Sequence, residues 1–178
     1  WYVEIAKKQI NEPSTKLNTQ RILRYVLERI LRLFHPVMPH ITEEIWQLIP
    51  GKAYKDNHKS IMLTDFPKFD AGLKDERAEF KINTAIETIK SIRNIRQSFN
   101  IPVSSTIQAK IYSEDAASKE TFEVIRPYIE NFARVERLSI KTGIPSELPS
   151  QSATTMTGTT LIVVPLAGLI DLDKEVQR

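Results

Sequence analysis

Leu31-Arg32-Leu33-Phe34-His35-Pro36-Val37-Met38-Pro39-His40-Ile41-Thr42-Glu43-Glu44-Ile45-Trp46 is the stretch on which the fold turns. Upstream of it, from about Asn18, the pattern Ile22, Tyr25/Val26, Arg29/Ile30, Leu33/Phe34 and Val37 recurs every three or four positions. That spacing lays a wide apolar stripe along one helical face. Pro36 and Pro39 each lack an amide donor and clash with the preceding turn, so a break is predicted over His35–His40. A second helix follows, with Ile41, Ile45, Trp46 and Ile49 inward and Glu43 and Glu44 near its favourable N-terminal end. Pro50-Gly51 closes it.

Outward from this pair, Trp1 to Ile10 reads as the last turns of a helix broken at Asn11-Glu12-Pro13-Ser14. With no initiator methionine, the Trp-Tyr start reads as a chain cut from something longer. Residues 51–74 read as a long connection with an apolar island at Ile61-Met62-Leu63, packed across the bundle through Phe66 and Phe69. No glycine falls between Lys74 and Thr142, and the longest helix is expected from about Asp75 to Phe99. Its inner face is Phe80, Ile82, Ala85/Ile86, Ile89, Ile92, Ile95/Arg96 and Phe99, and Asn100-Ile101-Pro102 ends it. Beyond Pro102 the texture changes. Strands are predicted at Thr106–Tyr112 and Val135–Ile140, a helix between them at Ser118–Asn131, and a hairpin about Gly158. The fold class is therefore mainly α: a helical bundle over 1–101, then a small α+β subdomain over 102–168.

Composition narrows the chemistry. The 178 residues carry 25 basic against 22 acidic side chains, a net charge of +3, so any nucleic-acid affinity must come from local clusters. There is no cysteine, which removes disulfides, thiol nucleophiles and Cys-ligated metals together. No apolar run approaches the roughly 20 residues that cross a bilayer. His35 and His40 are separated by two prolines and His58 lies in a loop, an arrangement that suits no metal frame; His35 is expected to end a helix through a backbone hydrogen bond. Neither a nucleophile elbow nor a glycine-rich phosphate loop occurs. Glu43-Glu44 reads as solvent-exposed helix-start carboxylates. No autonomous active site is expected.

Two cationic clusters remain. Lys90, Arg93 and Arg96 recur at helical spacing beside the isoleucines at 89, 92 and 95, where two guanidinium forks on a rigid helix suit phosphates held in register. Lys16, Arg21, Arg24, Arg29 and Arg32 form the second run, with Tyr25 among them as a flat partner for an unstacked base or as a core residue. An ordinary solvated face has the same spacing. The residues alone support a helical module with a nucleic-acid contact face, or, as the alternative, a helical protein-interaction or scaffold domain.

The stretch from Leu31 to Trp46 strongly resembles the anticodon-binding helical domain of class I aminoacyl-tRNA synthetases for valine, leucine and isoleucine, in which a His-Pro-x-Met-Pro segment joins two bundle helices. Trp1-Tyr2-Val3-Glu4 resembles that family's first bundle helix. Ile92-Arg93-Asn94-Ile95-Arg96 with Asn100-Ile101-Pro102 is similar to the long helix and exit of its valine branch, and Val164-Pro165-Leu166-Ala167-Gly168-Leu169-Ile170-Asp171 to that branch's junction with a C-terminal coiled coil. One departure stands out: where the family commonly carries phenylalanine after Met-Pro, this chain has His40, whose imidazole stacks with less apolar area but adds hydrogen bonding.

The resemblance implies a class I synthetase anticodon-binding bundle over 1–101, a small α+β subdomain over 102–168 and the start of a coiled-coil arm over 169–178. It implies a tRNA-binding set of Lys16, Arg21, Arg24, Arg32, His40, Lys90, Arg93 and Arg96, with tRNA(Val) as partner, no membrane association, a cytoplasmic location and a monomer. The whole enzyme would attach valine to tRNA using ATP. The fragment itself is expected to hold no cofactor, no metal and no catalytic residue, because the catalytic signatures and editing domain do not occur in it.

Overall fold

A computed structural model describes residues 1–49, 60–145, 147, 149 and 151–167. Pro50-Gly51, His58 and the expected coiled-coil arm at 169–178 lie outside the described residues. The chain divides into two compact units, Trp1–Lys74 and Asp75–Arg178. The sequence had set its boundary after residue 101; the long helix instead packs with the sheet that follows it.

The first unit opens with helix α1 (Tyr2–Gln9), then α2 (Pro13–Phe34) and α3 (Pro39–Leu48). Pro13 starts α2 rather than only ending α1, because the first helical position needs no amide donor. Pro39 plays the same part for α3, and the predicted break falls between Phe34 and Pro39. Leu31, Trp46, Ile49 and Ile61 form the core, with Ile45 packed against it. Ile41 is exposed. The island at Ile61–Leu63 is a single 3-10 turn that sends only Ile61 inward, while Phe66 and Phe69 stay exposed and do not pack across the bundle as expected.

The second unit opens with α4 (Glu76–Ser98), capped by the Asp75 carboxylate accepting from the Arg77 and Ala78 amides. Asn100 in the left-handed region ends it, with the Ile101 amide donating to the Arg96 carbonyl in the six-to-one closure of such caps. Strand β1 (Ile107–Ser113) leads through α5 (Ala116–Ala133) to β2 (Val135–Thr142), and β3 (Ser152–Thr157) and β4 (Thr160–Pro165) form the hairpin. The sheet order is β2-β1-β4-β3; β1 and β2 are parallel and the other pairs antiparallel. A parallel pair requires a crossover, which α5 supplies.

The buried face of α4 is Ala85, Ile89, Ile92 and Ile95, packed with Ile125 and Ile129 of α5 and with Ile107, Ala109, Ile111 and Ile162 of the sheet. Phe80, predicted inward, is exposed, and Thr88 takes a buried place instead. Fully burying one isoleucine contributes about 1.5–3 kcal/mol, so this cluster holds the unit together. No helix among the described residues is long and apolar enough to cross a membrane.

Candidate nucleic-acid interface

On α2, at about 100° per residue, Arg21, Arg24, Glu28 and Arg32 share one strip some 80° wide. Its two ends differ. Lys16 and Arg21 are exposed near the N-terminus of the helix, whereas Glu28 and Arg32 are buried, Arg32 against the segment after residue 60. Arg24 lies between these extremes. Its Nε donates to Glu28 at 3.1 Å, and its Nη2 is buried with no hydrogen-bond partner among the described residues. Arg32 Nε donates to the Glu28 carbonyl at 3.4 Å and its Nη1 to the Asp65 carbonyl at 3.2 Å. Arg32 thus ties α2 to the connection that follows α3, and its side chain is engaged in internal hydrogen bonds rather than in the predicted contact with RNA.

The apolar stripe of α2 faces outward in this unit. Ile22, Tyr25, Val26, Ile30 and Leu33 are between 37% and 48% exposed. Tyr25 is neither a core residue nor an open stacking platform, since the Arg29 guanidinium lies 3.5 Å from its ring centroid in a cation–π contact.

At the α2–α3 junction, His35 Nδ1 meets the Thr42 hydroxyl at 2.7 Å. Thr42 Oγ1 also donates to the Met38 carbonyl at 2.8 Å. If its one proton goes to that carbonyl, Nδ1 is the donor to the hydroxyl. As expected, His35 ends α2 through a backbone hydrogen bond, its amide donating to the Leu31 carbonyl at 2.9 Å, and its side chain adds a second tie across the corner. His40, one residue into α3, is exposed. Glu43 departs from the solvated carboxylate expected of it: it accepts from the Ser60 hydroxyl at 2.9 Å and the Ile61 amide at 3.0 Å. Burial raises its pKa, but hydrogen bonds from Gln47, Ser60 and Ile61 outweigh that and hold the carboxyl below its ordinary value.

In the second unit, Lys90 is exposed on α4. Arg93 is also exposed, but its Nε and Nη2 donate to the Phe132 carbonyl at 3.1 and 2.8 Å. Arg96 is only 7% exposed. Its Nη2 donates to the carbonyls of Pro102 and Ser105 at 2.5 and 2.7 Å, and Nη1 to that of Ala133 at 3.4 Å. Phe132 and Ala133 close α5, where the last carbonyls have no helical partner. The two arginines of α4 satisfy them and place positive charge on the negative end of the α5 dipole. Burial, and then the Arg134 charge, pull the Arg96 pKa below its ordinary value. Arg96 is therefore a brace, not the phosphate ligand its spacing suggested; the partners that decide this lie 6–37 positions away.

Exposed within the predicted set are Lys16, Arg21 and His40 in the first unit and Lys90 and Arg93 in the second. Arg134 escaped the sequence reading. It follows α5 in a left-handed conformation, a position with no sequence signal other than its place between a helix and a strand.

Residues 1–112 match the model of a family described as the anticodon-binding domain of tRNA ligase. The chain belongs to this family. Among known proteins, the chain is similar to the valine–tRNA ligase of Syntrophotalea carbinolica, 36% identical over 180 aligned positions that cover all of the chain and 20% of the relative. It is 37% identical to the valine–tRNA ligase of Latilactobacillus sakei subsp. sakei and 34% to that of Staphylococcus carnosus, with the same coverage. The chain thus spans about a fifth of the length of the curated relatives it matches.

Proposed function

We propose that the chain binds the anticodon stem and loop of tRNA(Val) as part of a valine–tRNA ligase whose whole form attaches valine to tRNA using ATP in the cytoplasm, as a monomer. The observation that carries this reading is the full-length alignment of the chain with several valine–tRNA ligases, together with family membership over residues 1–112. The exposed cations Lys16 and Arg21 supply backbone phosphate contacts, which set register without reading sequence. His40, exposed at the start of α3, offers a flat ring for an unstacked anticodon base.

The test is a filter-binding titration of the 178-residue chain with tRNA(Val) and an anticodon-swapped tRNA, at two salt concentrations. Lys16→Ala and Arg21→Ala should each lower the slope of log affinity against log salt by about 0.7–0.9. His40→Ala should reduce discrimination between the two tRNAs. Equal affinity for both tRNAs in the parent chain, or slopes untouched by either cation variant, would refute the reading.

A second reading, a protein-docking module, is favoured by one observation: the α2 stripe, with Met62 and Leu63, is apolar and exposed. It predicts partner binding that does not weaken with salt, where RNA binding must.

A further inference from the structure

A cavity of about 340 Å³ lies where α4, the first turns of α5 and the β3–β4 hairpin meet, a volume in the range of small-molecule sites. Thr88 of α4 lines it, fully buried, and its Oγ1 has no hydrogen-bond partner among the described residues. A hydroxyl taken out of water and left unpaired is destabilising. A threonine inside a helix has a ready remedy, which is to return its proton to the carbonyl one turn back. Two other threonines on the same lining use it: Thr84 donates to the Phe80 carbonyl at 2.8 Å and Thr121 to that of Ala117 at 3.1 Å. Thr88 does not.

Those two bonds also fix the polarity of the lining. With their protons committed, the Thr84 and Thr121 oxygens have only lone pairs left for a ligand. Glu87, on the same face of α4, adds a carboxylate that is exposed and has no ion pair among the described residues. No lysine, arginine or histidine among the described residues lines the cavity. The positive end of α5 is covered as well, since the Asp115 carboxylate accepts from the Ser118 amide at 2.7 Å. Phe80, 64% exposed, and the buried Phe122 supply aromatic surface. Acceptors, a negative charge and aromatic rings suit an ammonium group, which carries three donors and no acceptor and is drawn to ring faces.

We propose that this cavity binds a small aliphatic primary amine in its ammonium form. The charged head sits on the Thr84 and Thr88 oxygens, one turn apart on α4, with Glu87 beside Thr84 as the countercharge. The aliphatic stem lies against Phe80 and Phe122. None of the exposed cations assigned to tRNA takes part, so the site stands apart from that reading.

The probes are n-butylammonium chloride and 1-butanol, close in shape and different in charge. Each is titrated into the 178-residue chain at neutral pH, following amide NMR shifts. The ammonium should shift the amides of 84–88, 118–122 and 157–160 with a dissociation constant of about 1–10 mM, and the alcohol should not. Thr88→Val keeps the branched shape and removes the unpaired hydroxyl, so its melting temperature should equal or exceed the parent's. Its affinity for the ammonium should fall about tenfold, the loss of one hydrogen bond to a charged group. Glu87→Gln, at an exposed position, should leave the fold intact and weaken binding about two- to fivefold, with a smaller dependence on salt. Equal shifts from butanol would make the cavity merely apolar and overturn the proposal. So would an absence of shifts in the parent chain, the result if water alone fills the space. Ammonium affinity unchanged in either variant refutes the assigned contacts, and a lower melting temperature in Thr88→Val would show that the hydroxyl has an internal partner, removing the ground for the site.

Discussion

Replacing Arg96 with methionine asks whether this guanidinium holds the fold or holds RNA. In the structure it donates two short hydrogen bonds, to Pro102 and Ser105, and one long one to Ala133. A hydrogen bond from a charged donor contributes about 1.5–3 kcal/mol, and the 3.4 Å contact belongs at or below the low end. The two short bonds thus give about 3–6 kcal/mol, from which the desolvation of a buried cation subtracts. Methionine restores the packing of the aliphatic stem but leaves three carbonyls without this donor. A net loss of about 3–4 kcal/mol is expected, a fall in melting temperature of roughly 12–20 °C for a unit of this size. Thermal unfolding followed by circular dichroism measures it. Arg96→Lys should recover less than half, because an ammonium cannot span the same three acceptors as a planar fork. At a temperature where the variant is fully folded, tRNA affinity should keep its salt slope. A loss of stability below about 1 kcal/mol, accompanied by a shallower slope, would refute the bracing role and return Arg96 to the RNA-contact set.

Two further outcomes test the cores and the corner. Glu43 has a lowered pKa in the folded chain, so its ionised form stabilises above the unfolded glutamate value near 4.3 and that contribution is lost as pH falls through the lower folded value. Denaturation monitored by tryptophan fluorescence, to which buried Trp46 contributes with Trp1, should therefore show an acid-dependent loss that Glu43→Gln flattens; an identical acid slope in the variant would contradict the assignment. Ile92→Ala, at a fully buried position of α4, should destabilise the second unit by about 2–5 kcal/mol in urea unfolding. A change under about 1 kcal/mol would mean that α4 does not pack on the sheet as described.

Much of the secondary structure was legible because it depends on neighbours in sequence. Pro36 and Pro39 mark the α2–α3 corner, Asp75 and Asn100 bracket α4, and Gly158 sits between the hairpin strands. Each acts within a few residues, through a missing donor, a capping oxygen or a permitted backbone angle. Side-chain roles were less legible. Arg93 and Arg96 have the spacing of a phosphate-binding strip, yet their acceptors at Phe132 and Ala133 come from a helix that no periodicity relates to α4. Glu43 reads as a solvated helix start until the 60–63 turn returns to it.

The sequence by itself determined the order and type of the main helices and strands of this protein and the breaks between them, with their ends displaced by a few residues, and it singled out cations and flat rings as the functional candidates. Only the tertiary structure decided which cations face solvent: Lys16, Arg21, Lys90 and Arg93 do, while Arg32 and Arg96 turn inward. It also grouped α4 with the sheet and placed Arg134 beside Arg93. The reason is physical. A helix break or cap is set within one turn of the chain, whereas the fate of a long cationic side chain depends on which carbonyls the fold brings within hydrogen-bond reach of it, and those come from segments whose meeting is decided by the packing of the core.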